Sequence, residues 1–142
     1  MSWPSVIVLA PTERSSSFED PIRALGVFPD PATGAARLHW QEYSYYLDLT
    51  GGILADFEQE ELEHIAELIG EPRGFYVSGQ SMDAIRALLG HLLPGFHGLV
   101  DTDHGDILPA HEFLGLLGRY PRWDWRRVPR ADVGRSGENG PE

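Results

Sequence analysis

Neither cysteine nor lysine occurs among the 142 residues. Without cysteine there is no disulfide framework, no thiolate zinc site and no thiol nucleophile. All 11 basic residues are therefore arginine. Neither a GxGxxG nor a Walker A pattern is found, and an acidic chain without lysine makes a poor nucleotide site. No apolar run approaches the roughly 18–20 residues that span a bilayer. The opening MSWPSVIVLAPTERSSS has no basic n-region, and its apolar stretch VIVLA is too short for a signal peptide. These absences lead us to expect a cytoplasmic protein with no membrane association and no cofactor.

What the chain does have is negative charge, −11 in total. Residues 1–118 hold 18 acidic against 5 basic residues, while residues 119–142 hold 6 arginines against 4 acids. An acidic body repels nucleic acid and attracts basic partners. A hydrophobic content of 42% over this length supplies one core, so a single domain over 1–128 is expected. Residues 129–142, rich in glycine and polar groups, read as a disordered tail.

Periodicity sets the fold class. VIVLA (6–10) is a short buried-strand pattern ended by Pro11, and residues 15–28 carry Phe18, Ile22 and Leu25 at near-helical spacing. Residues 35–52 alternate in two phases, Leu38 and Trp40 in one and Tyr45, Leu47 and Leu49 in the other, with a switch near 41–44 that predicts a hairpin or bulge. Residues 56–72 predict a helix capped by Asp56, with Phe57, Leu62, Ile65, Leu68 and Ile69 as its apolar stripe. A strand at 74–79, a helix at 81–94 capped by Ser81, strands at 96–101 and 106–108, and a helix at 109–121 follow. WDWRRV (123–128) reads as an edge strand or a packed arm. The expectation is an α+β fold: a mixed sheet of about five or six strands carrying three to four helices.

Residues 101–112, DTDHGDILPAHE, place Asp101, Asp103 and Glu112 at the first, third and twelfth positions of a calcium loop. That loop needs glycine at its sixth position and an oxygen ligand at its fifth, and here Gly105 and Asp106 are inverted. A hairpin accounts for the segment, with Asp101 and Asp103 shaping the turn. His91, His97, His104 and His111 suit a transition metal in type, but they fall on different expected elements and lack any HExxH spacing. VSGQS (77–81) lies where a nucleophile elbow would sit, yet lacks both flanking glycines. No residue set offers nucleophile, base and orienter together, so the expected protein is not an enzyme.

Two surfaces remain. From Asp56 to Glu71 there are seven carboxylates and no basic residue. Glu60, Glu63, Glu67 and Glu71 recur at helical spacing, and no arginine on the expected helix relieves their mutual repulsion. A charge run of this kind is ordinarily a solvated face; its functional alternative is electrostatic docking. His39, Trp40, Tyr43, Tyr45 and Tyr46 crowd one expected hairpin, which must turn some of them outward. Strands favour aromatics in any case, but exposed Tyr and Trp also serve as interface hot spots.

Gly74–Ser78 (GFYVS), an amphipathic helix and then Gly98–Phe113 (GLVDTDHGDILPAHEF) form a combination that resembles small acidic proteins of GC-rich bacteria, some of them similar to immunity proteins of polymorphic toxin systems. The resemblance spans about residues 74–125 and its motifs are structural, so it transfers no functional residue. It implies a compact α+β protein that blocks a toxin domain by binding it. Charge and aromatic content agree with binding to a basic partner, and what the resemblance implies is then an immunity- or antitoxin-like inhibitor whose partner presents a basic surface. The expected contacts are Glu60, Glu63, Glu67, Glu71, Trp40, Tyr43, Tyr46, Asp101, Asp103 and Asp106. The alternative is a metal-binding domain or metal-dependent enzyme centred on the 101–106 turn.

Overall fold

The computed structural model describes residues 2–33 and 35–134. In chain order the regular elements are β1 (Ser5–Pro11), α1 (Ser16–Arg23), β2 (Phe28–Pro29), β3 (Ala36–Trp40) and β4 (Tyr43–Asp48). After them come α2 (Gln59–Ile69), β5 (Pro72–Gly79), α3 (Met82–Leu92), β6 (Leu99–Asp101), β7 (Ile107–Pro109) and α4 (Ala110–Arg119). The strands form one sheet in the order β2-β3-β4-β5-β1-β6-β7. The class is α+β. Every ladder is antiparallel, where a mixed sheet was expected, and the seventh strand is β2, two exposed residues paired to Arg37 and Ala36.

β1 lies inside the sheet, between β5 and β6, because VIVLA has no polar position to give to solvent. Val6, Val8 and Ala10 face one side and Ile7 and Leu9 the other. On the first side the sheet meets α1, α3 and α4 through Phe18, Ile22, Ile85, Leu88, Leu89, Phe113 and Leu117. On the second side α2 contributes one fully buried residue, Ile65, to a small cluster with Ile7, Leu9 and Leu99. Burial of one such side chain stabilises by roughly 1.5–3 kcal/mol, so α2 is held far more lightly than α3, which buries five residues. Leu68, expected on the apolar stripe, is 54% exposed, and Ile69 is only half-buried.

Both sheet edges are short and proline-terminated, β2 by Pro29 and β7 by Pro109, which blunts strand addition. The WDWRRV segment is a packed arm. Trp123 and Trp125 are buried against Phe113, with ring centroids 5.7 and 5.2 Å away, and the Trp125 indole donates to the Ser5 carbonyl at 3.0 Å. The chain stays packed beyond 128: Arg130–Asp132 form a 3-10 turn, and Arg130 donates its backbone N–H to Asp106 and its guanidinium to Glu112. The remainder of the expected tail, 135–142, lies outside the described residues.

Candidate partner-binding surface

α2 begins later than the sequence spacing suggests. Residues Gly52–Asp56 wind into a 3-10 helix first, so Glu58 rather than Asp56 is the cap residue, and its N–H donates to Glu61 at 2.9 Å. The 3-10 helix can lie flat on the sheet because Gly74 of β5 has no side chain. A Cβ there would come within 2.9 Å of Ile53 and Leu54. Glu61 then falls four residues after Phe57 and four before Ile65, on the stripe that faces the sheet. A carboxylate thus occupies a position that helical spacing reserves for an apolar side chain.

Across from it the hairpin of β6 and β7 closes through a tight turn. Asp101 Oδ1 accepts the Asp103 N–H at 2.7 Å, and the Thr102 N–H donates to the Asp106 carbonyl at 2.9 Å. Asp103 takes φ +63° and Gly105 φ +101°, left-handed conformations suited to Asp and Gly at such a turn. Segment 98–108 is therefore the expected hairpin. Asp101 is only 7% exposed. Its carboxyl is pushed above the ordinary carboxylate range by burial, and further by the negative charges of Asp103, Glu61 and Asp106, with the Asp103 N–H opposing.

Between these elements lies an open cavity of about 250 Å³. Ile7, Ile53, Phe57 and the Tyr76 ring give it an apolar side. Asp56, Glu61, Asp101 and Asp103 give it four carboxylates and no cation. The fold thus joins two features expected separately, the acidic helix and the DTDHGD turn, into one negative surface.

The other expected contacts are distributed differently. Glu60, Glu63 and Glu67 are exposed on the outer side of α2, where Glu67 meets only His64 at 3.9 Å. Glu71 is not on the helix, because Gly70 at φ +82° ends it and turns the chain toward β5. Among the described residues no arginine pairs with a carboxylate of α2. Asp106 is half-buried and already accepts the Arg130 N–H at 2.7 Å. Trp40 and Tyr43 pack on the opposite side of the sheet, with the α1, α3 and α4 core, where the Trp40 ring lies tilted against His91 with centroids 4.9 Å apart. They cannot share a contact face with α2. Tyr46 lies under the Arg37 guanidinium, 5.4 Å from its ring centroid. Tyr45, in the same hairpin, is fully buried, donates to the Ala84 carbonyl at 2.7 Å, and has its hydroxyl pushed up to about 12 by burial.

The serines of VSGQS are structural: Ser78 Oγ donates to the Pro4 carbonyl and Ser81 Oγ accepts the Ala84 N–H as the cap of α3. Among the described residues no three His, Asp or Glu side chains converge closely enough to hold one metal ion. No described helix is long and apolar enough to cross a membrane. Compared with family models, curated proteins and solved structures, the chain matches none.

Asp56 and Glu61 fall within the acidic stretch 56–71 expected to dock but were not singled out as contacts, and Tyr76 was missed altogether. Glu61 carried a signal, a carboxylate in phase with Phe57, Ile65 and Ile69. Tyr76 carried none that distinguishes it from an ordinary strand aromatic.

Proposed function

We propose that this chain is a non-enzymatic binding protein, an immunity- or antitoxin-like inhibitor that neutralises a toxin domain by docking its basic surface. The single observation behind the reading is the negative face formed by α2 and the 101–103 turn. Its carboxylates have no arginine partner within the described chain, while arginines elsewhere do pair, as Arg126 does with Asp124 at 2.8 Å and Arg130 with Glu112 at 2.8 Å. Like charges gathered without relief cost folding stability, and a basic partner would remove that cost on binding. α2 buries only Ile65 fully, with Ile69 packed half-buried beside it, and its outer carboxylates face solvent, open to a partner.

The experiment is inhibition. The toxin domain encoded beside this chain's gene is purified, and its activity is titrated with the full chain. One equivalent should abolish activity through a stable one-to-one complex. Persistence of activity at excess, or a neighbouring gene without a toxin domain, contradicts the reading.

A further inference from the structure

The chain is pinned firmly on either side of α2 and its 3-10 helix, and loosely between. Before the segment, the Leu49 carbonyl accepts from the Arg73 guanidinium at 2.8 Å. After it, the Glu71 carbonyl accepts from the Thr12 N–H at 2.9 Å and the Thr12 hydroxyl at 3.0 Å. Among the described residues, every hydrogen bond made by residues 53–70 ends on another residue of 51–70. Glycines stand at its two ends, Gly51 at φ +90° and Gly70 at φ +82°, where the backbone can swivel at little cost. What holds the segment down is apolar contact. Ile65, fully buried, and Ile53, Leu54, Phe57 and Ile69, partly buried, rest on Ile7, Leu9 and Leu99. Charge works against that contact. Asp56 and Glu61 of the segment face Asp101 and Asp103 of the β6–β7 turn across the open cavity, which Tyr76 lines and no cation does. Asp106, on the same turn, adds negative potential and accepts the Arg130 N–H.

We propose that residues 53–70 form a hinged flap that opens from the sheet as a unit, and that carboxylate repulsion across the cavity sets how often it opens. An eleven-residue helix is marginal in water on its own, so α2 unwinds as it leaves the sheet. Opening uncovers Ile7, Leu9 and Leu99 while the strands beneath keep their ladders. A unit with few buried apolar residues opens in this sub-global way. By contrast α3, with five buried residues, and β1, paired on both sides, open only with the whole fold. The Asp101 carboxyl is held above the ordinary range by burial and by the charges of Asp103, Glu61 and Asp106, against the Asp103 N–H. Of these groups Glu61 belongs to the flap. A raised proton affinity in the closed form means that closure is favoured below the ordinary value of 3.8 and weakens as pH rises through the closed-form value. The flap therefore loosens toward neutral pH. Neutralisation by a basic partner would act as acid does, a consequence that rests on the docking reading, whereas the flap itself does not.

The test is native-state amide exchange on the full chain at low urea, corrected for the intrinsic pH dependence of exchange. The amides of 62–70 should exchange together, at least roughly tenfold faster than those of β1 and α3, and with a weaker urea dependence. Asp101→Asn and Glu61→Gln keep the acceptors for the Asp103 and Glu58 N–H groups, so both should fold. Each should raise the protection of 62–70 at neutral pH roughly two- to fivefold, the scale of one partly exposed charge pair. Glu42→Gln, on the β3–β4 turn, should not. In the parent chain added sodium chloride should act in the same direction by screening the repulsion, and so should lowering the pH to about 4. If 62–70 exchange with the same free energy and urea dependence as β1, α2 opens only with the whole fold. If protection is unchanged in Asp101→Asn and in salt, repulsion does not set the opening. Either result overturns the proposal. Neither readout needs a partner, so the flap and the docking reading fail separately.

Discussion

Removing the Arg86 guanidinium should unfasten the C-terminal arm. Arg86 lies on α3, half-buried, and donates to three carbonyls: Trp123 at 2.9 Å, Leu117 at 2.6 Å and Tyr120 at 3.0 Å. Leu117 is in the last turn of α4 and Tyr120 is its C-cap residue, so their carbonyls belong to the set that a helix leaves unpaired. A cation there is favoured by the helix dipole as well as by the hydrogen bonds. Hydrogen bonds involving a charged group contribute roughly 1.5–3 kcal/mol each. Their sum overstates the effect for two reasons. Burial of the guanidinium, only partly offset by Asp83, already lowers its proton affinity, and water can reach some of the carbonyls once the side chain is gone. We expect Arg86→Ala to cost about 3 kcal/mol, with Arg86→Lys recovering less than half because one ammonium cannot span three acceptors. Urea denaturation followed in the near ultraviolet, where Trp123 and Trp125 report on the arm, measures this directly. A loss below about 1 kcal/mol for the alanine variant, or a lysine variant indistinguishable from the parent, would refute the reasoning.

The β3–β4 turn gives the opposite expectation. Gln41 and Glu42 both have positive φ, 51° and 72°, in a two-residue hairpin loop that favours Asn-Gly. Gln41→Asn with Glu42→Gly should therefore stabilise by about 1 kcal/mol in urea titrations, and a loss of stability would contradict it. Asp101 predicts a pH dependence. Its folded-state proton affinity is raised, so its contribution is fully present below its ordinary value of 3.8 and is lost as pH rises through the folded value. Asp101→Asn should thus be at least as stable as the parent at neutral pH and should lack this part of the decline; parallel pH profiles would show the assignment to be wrong.

How much of this could be read from the residues follows from the range of each cause. Local periodicity located β1, β3, β4, β5, α3 and α4, because Ile85, Leu88 and Leu92, or Tyr45 and Leu47, mark their buried faces without reference to the rest of the chain. β2 was invisible, since Phe28 and Pro29 are both exposed and alternate with nothing. The wholly antiparallel sheet depends on pairings such as Ser5 with Ser78, which no local pattern encodes. The start of α2 was misplaced because a 3-10 turn absorbed Asp56 before the helix began. Trp40 shares its phase with buried Leu38, so alternation already placed it on the core side; the count of aromatics in the hairpin outweighed that signal. The acidic cavity needs α2 and the β6–β7 turn side by side, a tertiary fact. Only Glu61, a carboxylate inside an apolar stripe, announced it in advance.

The central claim is that the face built from α2 and the 101–103 turn docks a basic protein. Its most direct test is the association rate with the toxin domain, measured across a range of sodium chloride for the parent chain and for Glu63→Arg with Glu67→Arg. Both residues are exposed and neither pairs with an arginine, so folding should be unaffected. The account predicts that salt slows association of the parent far more than it speeds dissociation. The double variant should associate roughly tenfold or more slowly at low salt, with a flatter salt dependence and a dissociation rate little changed. An association rate and salt slope identical in the two proteins would reduce the acidic helix to a solvated face and contradict the account.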